Sequence, residues 1–259
     1  MNKQIEYLIS ESVRELELLR HNKHEEFQQV PPVLWFGDIT SNKEKILVIS
    51  ANPNKPEEPQ KAPRLPYCKN WKNGERDVSE LAKQFNEYFA IDRNPFTAWF
   101  GANPNTWTDV SQGHIEGFLS GLDASFYGGN KYQAIHIDLL PFSTKPHFAE
   151  IADKIMGISG LPEWINRHLH QLIELIQPKL IIVNGGTNFH YFNLLINLDA
   201  QPYGIYKLYD GCTLWKAADN PNRPPIIGLS LNMGSRCCLK WWELQALGKE
   251  TVEKTNIKL

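Results

Sequence analysis

Four short, apolar-rich runs constrain this chain more than any other feature: residues 46–49, 134–140, 179–183 and 225–231. Each stops at a breaker, respectively Asn52-Pro53, Pro141, Gly185-Gly186 and the stretch Asn232 to Gly234. Runs with so little polar alternation fit strands buried on both faces. Helical patterns lie between them, over 78–89, 112–119 and 161–176, and a last one follows over 238–249. The third has Trp164, Leu169, Leu172 and Ile176 on one side and Pro162 near its start. Strands separated by helices call for right-handed crossovers and a parallel sheet covered on both faces. The expected fold is therefore α/β, with three α/β/α layers around a central four-stranded, mainly parallel sheet.

The 259 residues are expected to form a single domain spanning 1–259. An amphipathic N-terminal helix is expected over 3–20, from the spacing of Ile5, Leu8, Ile9, Val13, Leu16 and Leu19. A long loop is expected over 53–77. It carries Pro53, Pro56, Pro59, Pro63 and Pro66, and six basic side chains (Lys55, Lys61, Arg64, Lys69, Lys72, Arg76) against Glu57, Glu58 and Glu75. Loops of that length are uncommon unless functional or disordered. A hairpin is expected at 206–215 around Asp210-Gly211. The formal net charge of −2 supplies no overall basic footprint for nucleic acid, although a local basic face remains open. No apolar h-region opens the chain, and no stretch reaches the roughly 20 apolar residues of a membrane span. Cys68, Cys212, Cys237 and Cys238 contain no Cys-x-x-Cys spacing, so reduced thiols in a cytoplasmic protein are expected, with no membrane partner.

In open parallel sheets ligands bind beyond the carboxyl ends of the strands, which directs attention to Ser50 to Asn54, Asp138 to Pro141, Asn184 to Gly186 and Leu231 to Arg236. The first end reads Ile-Leu-Val-Ile-Ser-Ala-Asn-Pro-Asn. As a bare dipeptide Asn-Pro is a turn initiator, and it recurs at Asn94, Asn103 and Asn220. Directly after a buried strand it resembles the Gly-x-Asn-Pro-Gly motif of the mismatch-specific, thymine and single-strand-selective enzymes of the uracil-DNA glycosylase superfamily. Ser50 and Asn54 stand where that motif has glycines. The second end, His-Ile-Asp-Leu-Leu-Pro-Phe, puts Asp138 where the superfamily places a base reader, often an asparagine; otherwise Asp138 caps a local turn. The fourth, Leu-Asn-Met-Gly-Ser-Arg, is similar in place to a His-Pro-Ser-Pro-Arg motif, with Asn232 at the histidine position and Arg236 at that of the residue entering the duplex. A glycine-bearing strand-to-helix turn is the other reading. The resemblance runs over residues 44–245 and rests on the order of the strand ends.

The resemblance implies a DNA glycosylase that hydrolyses the N-glycosidic bond of a uracil, a mismatched base or a modified base. Asn52 and Asn232 would be catalytic. Ser50, Ala51, Pro53, Phe100, Asp138, Phe142 and Arg236 would bind the substrate, single- or double-stranded DNA with a flipped base. An ionised carboxylate at Asp138 accepts hydrogen bonds only, so it suits a base edge rich in N–H donors better than it suits uracil. Phe96, Trp99, Phe100 and Phe142 could give an extruded base its stacking surface, worth about 1–3 kcal/mol. Two alternatives stay open: a non-catalytic nucleic-acid-binding module of the same fold, and an α/β enzyme acting on a small nucleoside or nucleotide. No P-loop, Gly-x-Gly-x-x-Gly or Gly-x-Ser-x-Gly occurs, and no cofactor or metal is expected. His136 and Asp138, on one strand face, are the best metal pair the chain offers, whereas His168 and His170 face different ways on their helix.

Overall fold

The computed structural model describes residues 3–53, 77–90, 100–101, 114–198, 200–206, 212–234 and 237–259, with only the backbone course of 200–206. The apolar runs form strands. They are β1 (Lys45–Ser50), β3 (Tyr132–Asp138), β4 (Leu180–Asn184) and β7 (Ile226–Leu229). Three further strands extend the sheet: the two-residue β2 (Ala124–Ser125), β5 (Ala200–Tyr206) and β6 (Cys212–Ala217). Among the described residues the sheet therefore has seven strands rather than four, in the order β2-β3-β1-β4-β7-β6-β5. The first five are parallel, and the β5–β6 hairpin joins the β7 edge antiparallel. The hairpin expected at 206–215 is met in its second strand, which begins at Cys212, whereas the first strand lies earlier, over Ala200–Tyr206, and the expected turn at Asp210-Gly211 falls outside the described residues.

Seven helices accompany the sheet among the described residues: α1 (Lys3–His21), α2 (Val78–Asn86), α3 (Ile115–Gly121), α4 (Phe148–Met156), α5 (Leu161–Ile176), α6 (Gly186–Ile196) and α7 (Trp241–Thr255). Contacts sort most of them into groups. The helix α5 touches α4 and α6, α3 packs on α7, and α1 on α2. Chain order explains this. The step from β1 to β3 runs one way along the sheet, and the step from β3 to β4 runs back past β1. Right-handed crossovers then carry α2 and α3 over one face and α4, α5 and α6 over the other. Residue after residue of β3, β4 and β7 is buried, as is β1 beyond Lys45, so both faces of the central strands are covered.

The core draws on both ends of the chain, from Ile5 to Ile257. In α1 the expected apolar positions Ile5, Leu8, Ile9, Leu16 and Leu19 are buried, and Arg20 and His21 stand at the negative end of its dipole. Helix α7 is held against α3 by close backbone approach. A Cβ on Gly121 would lie 2.3 Å from the Gln245 carbonyl oxygen, and one on Gly248 equally far from that of Phe118. The expected loop 53–77 falls outside the described residues over 54–76. No helix among the described residues is long and apolar enough to cross a membrane.

Candidate functional site

Parallel register aligns the strand ends at one edge. Ser50 is level with Asp138, Ile49 with Val183, and Asn184 with Leu229. The connections leaving β1 and β4 run in opposite directions along the sheet, so the crevice of such a fold opens where β1 and β4 end. Just beyond β1, the Ser50 and Ala51 carbonyls accept the Leu139 and Leu140 amides at 2.9 and 3.0 Å, which zips the chain after β1 to the chain after β3. Asn52 is next. Its Nδ2 donates to the Phe142 carbonyl at 3.3 Å and to Thr144 Oγ1 at 3.0 Å. The orientation of this amide follows from chemistry. A carbonyl can only accept, and the one Thr144 hydroxyl proton is already given to the Pro146 carbonyl at 2.7 Å. The nitrogen end of Asn52 is therefore its anchor, and Oδ1 is the end left to act as acceptor. Ala51 is half-buried and Pro53 is buried beside it. The Ser50 hydroxyl is buried with no hydrogen-bond partner among the described residues.

Asp138 closes β3 as a buried carboxylate, with Oδ1 3.6 Å from Nε2 of the equally buried His136. The two-residue spacing puts both side chains on one strand face, as the sequence implied. The His136 ring lies between Phe36, stacked at 5.9 Å, and the edge of Phe100 at 5.0 Å. Phe100 is itself fully buried against Phe36, Tyr88, Phe89 and Phe126. Phe142 is also fully buried, stacked on Trp164 at 5.3 Å. The expected stacking roles of these two rings are corrected accordingly. Their faces are taken by core neighbours, so Phe100 walls the His136 side of the site and Phe142 contributes its carbonyl to Asn52. Phe96 and Trp99 lie outside the described residues.

The fourth strand end is a turn tied down from several directions. Asn184, buried at the end of β4, accepts the Met233 amide on Oδ1 at 2.9 Å. Gly185 follows with φ +98°, a conformation that glycine adopts without steric cost. A Cβ there would sit 3.7 Å from Asn232 Cβ, so the third and fourth strand ends touch. Asn232 is exposed, and its Oδ1 accepts the Gly234 amide at 3.1 Å. That bond fixes the oxygen and leaves Nδ2 as a donor. Burial holds the pKa of His114, which precedes α3, below the usual imidazole value, partly offset by the nearby Gly234 backbone. Cys212 lies beneath the turn, and burial pushes its thiol up despite bonds from Ser230 and the Leu231 backbone. Arg236 lies outside the described residues.

Beside His114, Glu116 is fully buried. It accepts from the Ser125 hydroxyl and, at 3.1 Å, from the Phe126 amide. Burial raises its pKa to about 7, against the lowering effect of those bonds. The described residues contain no group of three or more His, Cys, Asp or Glu side chains placed to hold a metal ion.

The structure thus brings Ser50, Ala51, Asn52, Pro53, Asp138 and Asn232 to one edge of the sheet. Sequence reasoning passed over His114 and Asn184 as individuals. The Asn-Gly-Gly strand end was the available signal for Asn184, whereas a lone histidine ahead of a helix carries none. Chemically, the edge offers an oriented carbonyl acceptor at Asn52, a buried carboxylate at Asp138 and an amide donor at Asn232. No protein-family model matches the chain, and no curated protein matches it.

Proposed function

We propose that the protein is a DNA glycosylase that hydrolyses the N-glycosidic bond of a flipped uracil, mismatched or modified base. The observation that carries the reading is Asn52, set directly after a buried parallel strand and anchored through Nδ2, with its carbonyl oxygen left as an acceptor among the described residues. In the reaction the C1′–N bond breaks, the base takes the bonding electrons, and the sugar gains oxocarbenium character. Asn52 Oδ1 accepts a hydrogen bond from a water and directs its oxygen to C1′. The new C1′–O bond forms, and the water's proton passes to solvent or to the departed base. A carboxamide is too weak a base to take that proton outright, so the rate is modest and comes mainly from positioning.

Asp138 reads the N–H donors of the base, and Asn232 Nδ2 donates to the charge growing on it. Arg236 fills the gap left in the duplex. Flipping costs a few kcal/mol, least for mispaired or damaged bases, which favours such substrates. The neutral amide at Asn232 and the acceptor-only carboxylate at Asp138 favour a second reading, a binding module of the same fold. Labelled single- and double-stranded DNA carrying uracil, G·T mispairs or modified cytosines, treated with protein and then hot alkali, separates the two. Alkali-labile breaks that vanish with Asn52→Ala support the glycosylase, and salt-sensitive binding without breaks supports the module.

A further inference from the structure

Four large apolar side chains are exposed among the described residues: Tyr7, Leu18, Leu194 and Trp242. Singly exposed apolar groups are ordinary on a protein surface, so exposure alone distinguishes none of them. Their chemistry and their neighbours do. Leu18 and Leu194 have no ring. Tyr7 donates its hydroxyl to the Glu11 carboxylate at 3.3 Å, which sets a negative charge beside it. Trp242 has a cation instead, the Lys240 ammonium, 5.0 Å from its ring centroid. That cation–π contact occupies one face of the indole, in a residue that is 53 % exposed. The pair is held from below. A Cβ on Gly117 of α3 would lie 3.4 Å from Trp241 Cε3 and 3.3 Å from Leu244 Cβ, so the first turn of α7 is pressed against α3. Successive helical side chains point about 100° apart, and Trp241 on α3 therefore turns Trp242 to solvent. The Glu243 carboxylate is engaged at the start of the helix, where its Oε2 accepts the Lys240 amide at 2.8 Å.

We propose that Trp242 and Lys240 form a binding site for single-stranded DNA, in which an unpaired base lies on the indole and Lys240 meets a backbone phosphate. An aromatic face beside a basic side chain is the combination that holds single strands without reading their sequence. A base paired and stacked within a duplex has no face to give, so the site selects the single strand. Its place suits the strand ends. Gly234, two residues past Asn232, accepts the Cys237 amide at 2.9 Å. From Cys237 the chain reaches Trp242 in five residues, at most about 18 Å. That is the length of roughly five stacked nucleotides, so a strand lying on Trp242 extends to the edge that carries Asn232. The choice of DNA rests on the glycosylase reading; the stacking site itself does not.

Binding of a labelled, undamaged single strand to the full chain, followed over a range of salt concentrations, tests the site without requiring base release. Trp242→Ala is expected to weaken binding about fivefold to 150-fold, the value of one stacked base, and to leave the slope of log affinity against log salt unchanged. Trp242→Phe keeps a ring and should retain most of the affinity. Lys240→Gln should flatten the slope by about 0.7, the share of one single-strand phosphate. The same strand in a duplex should bind more weakly and ignore Trp242→Ala. If the alanine variant does not fold, Trp242→Gln, also without a ring, takes its place. Single-strand affinity within twofold of wild type in the ringless variant overturns the proposal, as does a wild-type protein that prefers duplex or binds no oligonucleotide. So does dimerisation in sedimentation that Trp242→Ala abolishes with DNA binding unchanged, which gives the face to a second copy of this chain. If binding depends on Trp242 but no base is released from any substrate, the glycosylase reading falls and the strand site stands.

Discussion

Two buried titratable side chains shape the pH response of this fold in opposite directions. Glu116 has a pKa raised to about 7 by burial. Between its ordinary 4.5 and that value the folded protein keeps a proton that the unfolded chain releases, so this group's contribution to stability is lost as pH rises through that window. His168 is held down to about 3, first by burial and then by the Arg167 charge. Below pH 6.5 the unfolded chain takes up a proton that the folded protein refuses, so stability is lost as pH falls. From pH 4.5 to 6.5 the two slopes cancel. Glu116→Gln can still accept from Phe126 and donate to Ser125, and it removes only one of them. Its stability is expected to rise with pH relative to wild type by about 1.4 kcal/mol per unit across that window. Denaturant melts at half-unit intervals would show it, and parallel curves for the two proteins would refute it.

At the level of elements, the tightest constraint is the meeting of α3 and α7. Alanine at Gly248 gains about 1 kcal/mol of helix propensity. Its Cβ, however, would lie 2.3 Å from the Phe118 carbonyl oxygen, and backbone cannot step aside as a side chain can. Overpacking costs about 1–3 kcal/mol, more where backbone must move. Gly248→Ala is therefore expected to lose about 1–2 kcal/mol net, read as a fall in Tm; an unchanged or raised Tm would show that the helices part without cost.

The loop after β3 allows a milder test. Thr144→Val removes one of the two acceptors that anchor Asn52 and leaves the Phe142 carbonyl in place. Base release should fall by less than in Asn52→Ala, with DNA binding retained.

Strands β1, β3, β4 and β7 were legible because buried parallel strands read as apolar runs. Strand β5 was not, since it contains Pro202 and Gly204, which a strand tolerates here because it lies at the sheet edge. The two residues of β2 leave no pattern at all. Helix α6 begins with Gly, Thr and Asn, and its Phe and Tyr side chains lower its local helix propensity.

For the molecule as a whole, the site is a product of topology. Asn52 and Asp138 could be picked from the sequence because each is attached to its own strand end. Asn184 and the anchoring of Asn52 by Thr144 could not, because each acts through a bond between residues distant in the chain. Nor could periodicity reveal that Phe100 and Phe142 have both faces packed, since a core ring and a stacking platform look alike in sequence. What the fold supplies is a shared edge along which an oriented carboxamide, a carboxylate and an amide donor are set at the ends of neighbouring strands. The claim that the Asn52 carboxamide directs the attacking water is tested most directly by single-turnover base release from DNA, comparing wild type with Asn52→Ala at matched folding and saturation. The account predicts a loss on the order of a hundredfold or more with DNA affinity kept, since misplacing a reactant by about 1 Å costs that much. Equal rates in the two proteins would contradict it.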